Sequence, residues 1–156
     1  MGFEAIYKQT VTLFNRKIVG EKTYWYPVVI PNVHLIIDRS IIISTYGEQS
    51  QDNAKLHIRY APNGDDAVIA VDGGTRTYML PKAYRASGDT GTNITFAFGD
   101  DFDFIMDGAW SGDSVIDDDE YPKGFFNYMN KTYDNVFAIT TVAKFNLIPH
   151  FEITAK

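Results

Sequence analysis

Alternation of apolar and polar residues with a period of two is the feature of this sequence that most constrains its fold. In the stretch IYKQTVTLF, residues 6–14, Tyr7, Val11 and Leu13 fall on one face of an extended chain, whereas Lys8 and Thr12 fall on the other. Such alternation is typical of a strand that is buried on one side only. The first residues therefore predict a half-buried β-strand.

Similar strand patterns recur along the rest of the chain. Residues 23–37 are rich in aromatic and β-branched side chains, and in AKLHIRYAP, residues 54–62, we expect Leu56, Ile58 and Tyr60 to face inward. Turn chemistry of the hairpin kind follows at PNGDD and VDGGTR. Closing strands are predicted over 136–142 and about 150–154. Pro27 and Pro31 should restrict pairing of their strand to edges, bends or strand ends.

One short α-helix is predicted near residues 120–133. Pro122 suits a first helical turn, where its missing N–H costs nothing, and the acidic residues before it complement the positive end of the helix dipole. Phe125 or Phe126, Met129 and Tyr133 then recur at intervals of three and four residues, which gives one apolar stripe. About eight short strands with one helix predict a mainly β fold, a β-barrel or a sandwich.

Length and composition favour one β-rich domain over residues 1–156. A chain of 156 residues with 45% apolar content is long enough for one core and short for two. The N-terminus lacks a signal-peptide pattern, no apolar run approaches the roughly 20 residues that cross a bilayer, and cysteine is absent. We therefore expect a soluble protein made in the cytoplasm, without disulfides, thiol catalysis or sulfur-bound zinc.

Negative charge is concentrated in one segment. Residues 86–122 contain no Lys or Arg but carry ten acidic side chains, so that the rest of the chain is about +4 within a net charge of −6. Two interpretations stay open: an acidic face that meets the basic face of a neighbouring copy, or a solvated surface. The candidate interaction residues in this segment are Asp113, Asp117, Asp118, Asp119 and Glu120.

The acidic run does not match a calcium loop. Read from Asp117 as an EF-hand, it places Tyr121 where a third ligand belongs and Pro122 where the glycine belongs. Capping of the predicted helix and solvation account for these carboxylates. We therefore expect no metal site here.

No catalytic or cofactor motif is present in the sequence. His34, His57 and His150 lie far apart, and none belongs to a spaced metal motif such as H-E-x-x-H. There is no G-x-S-x-G elbow and no glycine-rich phosphate loop. We expect His57 to face outward and His150 to have a structural role, with no catalytic, cofactor-binding or metal-binding residues. A small hydrolase stays open as a third interpretation, if a pocket gathers these histidines with two carboxylates.

Adjacent aromatics form the other candidate interaction site. Tyr24, Trp25 and Tyr26 follow Lys22, and such a group could stack on the bases of a single-stranded nucleic acid. The acidic net charge and scattered basic residues argue against tight nucleic-acid binding. If exposed, these three rings would instead form the stacking platform of a carbohydrate- or ligand-binding β module, which is the alternative function.

Several segments, taken together, resemble a known group of proteins. These are YKQTVTLFN, YWYPVVIPNVHL, RTYMLPKAYRA, FAFGDDFDFIMDG and YDNVFAITTVAKFNLIPHFEITAK, and they span nearly the whole chain. In this order they resemble small minor structural proteins from the head–tail modules of phages and prophages of Gram-positive bacteria. HFEI, residues 150–153, is the counterpart of an element that usually contains Trp in place of Phe151.

The resemblance implies a non-enzymatic, homo-oligomeric ring between portal and tail, either a head-closure or a tail-terminator component. Its partners would be portal, adaptor or tail proteins, with DNA passing through the lumen without specific binding and without contact with a membrane. The protein would be made in the host cytoplasm and then reside in the virion. No cofactor is implied, and no individual binding residue is carried over.

Overall fold

The computed structural model describes the backbone of residues 6–44 and 47–156, and the side chains of residues 6–38 and 54–156. Its described elements are eleven strands, two α-helices and one 3-10 turn. In chain order they are β1 (Gln9–Val19), β2 (Lys22–Ser44), β3 (Gly47–Arg59), β4 (Ala61–Asn63), β5 (Asp66–Val71), β6 (Gly74–Tyr78), α1 (Pro81–Ala86), β7 (Asn93–Ile94), β8 (Phe104–Asp107), β9 (Ile116–Asp117), the turn Asp118–Glu120, α2 (Phe125–Thr132), β10 (Val136–Phe145) and β11 (His150–Ala155).

Six antiparallel strands close into a barrel. The order around the barrel is β1, β8, β10, β11, β3 and β2, and β1 also pairs with β2 to complete the circle. β9 adds to the free side of β2 through Trp25 and Tyr24. Of the two predicted architectures, barrel and sandwich, the protein adopts the barrel.

The barrel interior is filled by the apolar faces of its strands. Val11, Leu13, Leu56, Ile58 and Phe151 are each at most 1% exposed and belong to one continuous cluster. The predicted inward residues of β1 and β3 are therefore confirmed, but the prediction of a half-buried β1 is wrong, because Thr12 and Phe14 on its other face are also buried. The predicted closing strands correspond to β10 and β11. Burial of this face is the main force that holds the barrel together.

A small second sheet covers one part of the barrel core. It has the order β4, β5, β6 and β7, and its Ala67, Ile69 and Ile94 join the interior cluster. The turns that connect its strands contain Gly64 (φ 63°) and Gly73 (φ 84°), a left-handed conformation that favours glycine. The hairpins expected from Asn-Gly and Gly-Gly are thus confirmed.

A second apolar cluster lies on the outside of the barrel, beneath α2. It contains Phe14, Trp25, Phe104, Phe125 and Met129, all at most 1% exposed. Phe14 and Phe104, from neighbouring strands, stack with ring centroids 4.6 Å apart. Because this part of the wall is covered, β1 is buried on both faces from Val11 to Asn15, and β8 from Phe104 to Met106.

The structure corrects three sequence-based expectations. The strands number eleven among the described residues, not about eight, and β2 alone extends over 23 residues. The helix predicted near 120–133 is divided into the 3-10 turn Asp118–Glu120 and α2, so that Pro122 lies between them. Phe125 and Met129 of the predicted apolar stripe are buried, but Tyr133 follows the last residue of α2 and is 45% exposed.

Pro27 and Pro31 lie inside β2, and pairing is restricted at both, as expected: Pro27 is paired only with β1, and Pro31 has no partner in the register. β2 continues through both residues, with Pro27 opposite Phe14 of β1. The register shifts between Gln9 and Val11, opposite a segment in which Asn32 has a φ of 57°. At this bulge the Gln9 side chain bonds both backbone groups of Leu35, accepting its N–H at 2.9 Å and donating to its carbonyl at 3.0 Å. The bulge therefore lets β2 continue through Pro31, which lies at the register shift.

Beyond the barrel, β2 and β3 continue together as a two-stranded hairpin, which we call the arm. Its rungs run from the pair of Asp38 and Asn53 to the pair of Ser44 and Gly47. β11 pairs with β3 only from Ala54 onward, so in the described part of the chain no third strand joins the arm. At about 3.3 Å per residue its strands extend roughly 20 Å from the barrel.

A buried carboxylate ties distant parts of the chain together. Asp103 is fully buried and accepts hydrogen bonds from the backbone N–H of Arg16 (2.8 Å), the backbone N–H of Ala97 (2.9 Å) and Nδ2 of Asn15 (3.0 Å). Burial raises the pKa of Asp103 to about 7, while the N–H donors of Arg16 and Ala97 act to lower it. The carboxylate thus accepts from three donors of two distant segments, and Nδ2 of Asn15 also donates to the carbonyl of Thr95 at 2.7 Å.

Candidate functional site

The acidic run lies in the segment that leads into α2. Asp113 is exposed, and its carbonyl accepts the indole N–H of Trp110 at 3.0 Å. Asp117 accepts the backbone N–H of Asp119 at 3.0 Å, and its other carboxylate oxygen is 3.4 Å from Nζ of Lys22. Asp119 and Glu120 are exposed. Among the described residues, no three of these carboxylates form a group that could hold a metal ion.

Asp118 is the structural member of the run. One of its oxygens accepts both Nε1 of Trp25, at 2.9 Å, and the backbone N–H of Phe125, at 2.8 Å. Gly124, at the helix N-cap, offers no side chain for this purpose and has a φ of 89°. Asp118 therefore caps α2 from six residues upstream and connects the helix to β2, which agrees with the capping role expected for the run.

Replacing Asp118 with alanine should lower the free energy of unfolding by about 2 kcal/mol, because two partly buried donors lose their acceptor. Urea denaturation followed by circular dichroism would measure this loss. Asp119→Ala is the matched control, since Asp119 is exposed, and it should change stability by less than about 0.5 kcal/mol. Equal effects of the two substitutions would contradict the bridging role of Asp118.

The ten acidic residues of the segment do not form one free acidic face. Asp103 is buried, and Asp118 is bonded to Trp25 and Phe125. Asp101 lies 3.6 Å from the Arg85 guanidinium and 3.9 Å from that of Arg16. Asp101, Asp103 and Asp118 are thus buried or paired within the subunit and do not contribute to a free acidic surface.

The prediction of an exposed aromatic platform is wrong for Trp25, its central residue. Trp25 is only 1% exposed, whereas Tyr24 and Tyr26 are half-buried. Successive side chains of a strand point to opposite faces, so Trp25 cannot share a surface with its two neighbours. Its ring packs instead against Phe104, with centroids 4.9 Å apart, and beneath the guanidinium of Arg16 at 4.5 Å.

The structure brings together three histidines that are far apart in sequence. His34 of β2 is paired with His57 of β3, and His57 is paired with Glu152 of β11. His150 lies on the same outer face, its ring stacked on that of His57 with centroids 5.9 Å apart. The expected outward orientation of His57 is confirmed, although its side chain is only 23% exposed.

Glu152 lies at the centre of this group, which we call the histidine cluster: His57, His150 and Glu152. One carboxylate oxygen of Glu152 is 3.6 Å from Nδ1 of His57 and 3.5 Å from Nε2 of His150. Burial lowers the pKa of His57, an effect that Glu152 opposes and that His34 and His150 reinforce. Among the described residues one carboxylate joins these histidines, whereas the hydrolase interpretation needs two.

Sequence reasoning missed this cluster because β3 and β11, the two strands that form it, meet only through their register. Alternation places His57 and Glu152 on the outside of their own strands, and that signal was readable. Which outward residues of β3 and β11 stand opposite each other depends on pairing between segments about a hundred residues apart. No local motif encodes that pairing.

An apolar groove opens at the junction of α1 and β10. It has a volume of about 700 Å³ and is lined by Tyr78, Leu80, Pro81, Phe96, Phe98 and Val142, with two lysines at its edge. Leu80 is 68% exposed and Phe98 56% exposed. Exposed apolar side chains gathered in one groove are typical of surfaces that meet another protein.

Residues 6–156 match the model of one protein family, which is described as a family of unknown function, DUF6751. No curated protein and no solved structure matches the chain. In the described residues no helix is long and apolar enough to span a bilayer. The site must therefore be interpreted from its own geometry.

Proposed function

We propose that this chain, which belongs to the DUF6751 family, is a non-catalytic structural subunit of a phage or prophage head–tail connection that assembles as a ring. Portal, adaptor or tail proteins are its proposed partners, and it passes from the host cytoplasm into the virion. The observation that carries the proposal is the arm, a β-hairpin that leaves a closed barrel with no third strand to support it in the described structure.

A closed barrel has few backbone groups left to pair with another chain, because closure removes its edges. The arm is different, since a two-stranded ribbon is only marginally stable in water by itself. Its sequence contains three consecutive isoleucines, Ile41, Ile42 and Ile43. A neighbouring subunit that covers the arm would supply the support of a third strand and so stabilise the ribbon.

The apolar groove supplies a second, unlike surface. A ring is built from heterologous contacts, in which one patch of each subunit meets a different patch of the next. In the proposed assembly the arm of one subunit packs into the groove around Leu80 and Phe98 of its neighbour. Exposed Asp119 and Glu120 would disfavour tight adhesion of DNA in a lumen, by like-charge repulsion.

Shortening the arm should convert the assembly to monomers. In the variant, residues 41–50 are replaced by Asn-Gly, which closes a two-residue hairpin between Ser40 and Gln51 without changing their register. Native mass spectrometry should show a closed oligomer for the full chain, and a dissociation constant raised at least about 100-fold for the variant. Far-ultraviolet circular dichroism would check that the barrel is retained.

The groove has its own matched pair of substitutions. Phe98→Glu places a charge at the proposed contact and should also give monomers, whereas Val115→Glu, at another exposed apolar residue, should leave the oligomer intact. A strict monomer for the full chain at high concentration, both alone and with portal or tail proteins, would overturn the assembly. Genes for portal, capsid and tail proteins beside this gene would support the phage assignment, and their absence would count against it.

A further inference from the structure

We propose that the histidine cluster, His57, His150 and Glu152, is a binding site for a divalent metal ion of the zinc class. The three side chains offer two imidazole nitrogens and one carboxylate oxygen, and these ligand atoms all lie within 4.8 Å of one another. Such a mixed nitrogen and oxygen set suits Zn²⁺ and its first-row neighbours better than Mg²⁺ or Ca²⁺, which prefer oxygen ligands alone.

The distances fit a tetrahedral ion. With metal–ligand bonds of about 2.0–2.1 Å, the corners of a tetrahedron lie roughly 3.4 Å apart. The carboxylate oxygen of Glu152 is 3.6 Å from Nδ1 of His57 and 3.5 Å from Nε2 of His150, close to that edge length. The His57 and His150 rings are nearly parallel, at 14°, so rotation of the imidazoles is needed to direct both nitrogens at one ion.

His150 is oriented as a ligand by a contact outside the cluster. Its Nδ1 is 2.6 Å from the carbonyl oxygen of Ile148, so Nδ1–H donates to that carbonyl and Nε2 is the nitrogen that faces Glu152. Metal-binding histidines are commonly fixed by such a bond from the other ring nitrogen to a backbone carbonyl. The ring of Phe145 stacks on His150, with centroids 4.8 Å apart and planes 7° apart, which further limits its rotation.

The barrel wall holds the ligands in place. His57 and Glu152 are directly paired across β3 and β11, and His150 lies two residues before Glu152 on the same strand. Sites built on strands of a rigid scaffold keep their ligand geometry better than sites on loops. The side chains of His57, His150 and Glu152 are 23%, 17% and 44% exposed, which leaves the fourth coordination position open to solvent.

The experiment is a titration of the full chain, freed of metal by a chelator, with zinc chloride in an isothermal calorimeter. We expect one ion per chain, and affinities at least about tenfold weaker for His57→Ala, His150→Ala and Glu152→Gln. Glu152→Gln keeps the size of the side chain and guards against simple loss of folding. Co²⁺ bound in place of zinc should give the visible absorption of a tetrahedral site.

His34→Ala is the matched control, because His34 is paired with His57 in the same outward row but is not one of the three ligands. Its affinity for zinc should stay within about threefold of the original chain. The proposal is overturned if the full chain binds no zinc, if the three ligand variants bind as tightly as the original chain, or if His34→Ala weakens binding as much as they do. The metal site does not depend on ring assembly, which is tested separately by native mass spectrometry.

Discussion

Replacing Asp103 with alanine should lower the free energy of unfolding by about 4 kcal/mol, since three buried donors lose their acceptor at once. These donors are the backbone N–H groups of Arg16 and Ala97 and Nδ2 of Asn15. Asp103→Asn should lower the free energy of unfolding by less than Asp103→Ala, because the oxygen of the new amide can still accept a hydrogen bond. Equilibrium urea denaturation at about pH 5, where the folded protein still holds the Asp103 proton, would measure both losses.

Asp101→Ala is the control for this series. Asp101 is half exposed and pairs with Arg16 and Arg85 only at 3.9 and 3.6 Å, so its removal should cost less than about 1 kcal/mol. If Asp101→Ala destabilised the protein as much as Asp103→Ala, the buried network would not be the stabilising element.

Stability should also depend on pH through Asp103. Burial raises the pKa of Asp103 to about 7 in the folded protein, from 3.8 for an ordinary carboxyl. The folded state binds this proton more tightly than the unfolded state does. The contribution of Asp103 to the free energy of unfolding is therefore fully present below pH about 4 and is lost as the pH rises through about 7. Urea denaturation at several pH values between 5 and 8 should show this fall in the original chain, and a weaker fall in Asp103→Ala.

Replacing Trp25 with alanine should have a comparably large effect, about 4 kcal/mol. The ring is almost fully buried in the outer cluster, with Phe104 at 4.9 Å and the Arg16 guanidinium at 4.5 Å. Its removal leaves a cavity beneath α2 and takes one donor from Asp118. Thermal and urea denaturation would measure the loss.

Two further substitutions separate packing from hydrogen bonding at this position. Trp25→Phe keeps most of the ring volume but removes Nε1, and should cost about 1–2 kcal/mol. Tyr24→Ala, at a half-buried neighbour, should cost less than either substitution of Trp25. A Trp25→Ala chain of unchanged stability would contradict the buried placement and restore the exposed aromatic platform.

Much of the local structure follows from the sequence. Alternation in residues 6–14 and 54–60 identified which residues of β1 and β3 face the core, and the glycine turns identified the hairpins of the small sheet. The stripe of Phe125 and Met129 identified α2, although its start was placed too early. These features depend on interactions between residues close in the chain, which periodicity and turn chemistry report directly.

The candidate sites follow less well, because burial of an outward face depends on what covers it. Trp25 points away from the barrel interior, as the platform hypothesis required, but β9 and α2 lie over it. Likewise, nothing local to Asp103 shows that Asn15, 88 residues away, meets it in the core.

By itself the sequence determined that this chain is mainly β, which residues of β1 and β3 enter the core, and that neither a G-x-S-x-G elbow nor a glycine-rich phosphate loop is present. Only the tertiary structure decided that the strands close into a barrel, that the arm extends beyond it, and that His57, His150 and Glu152 meet on its wall. The physical reason is that side-chain alternation is a property of one strand, whereas register and closure arise from pairing between strands far apart in sequence.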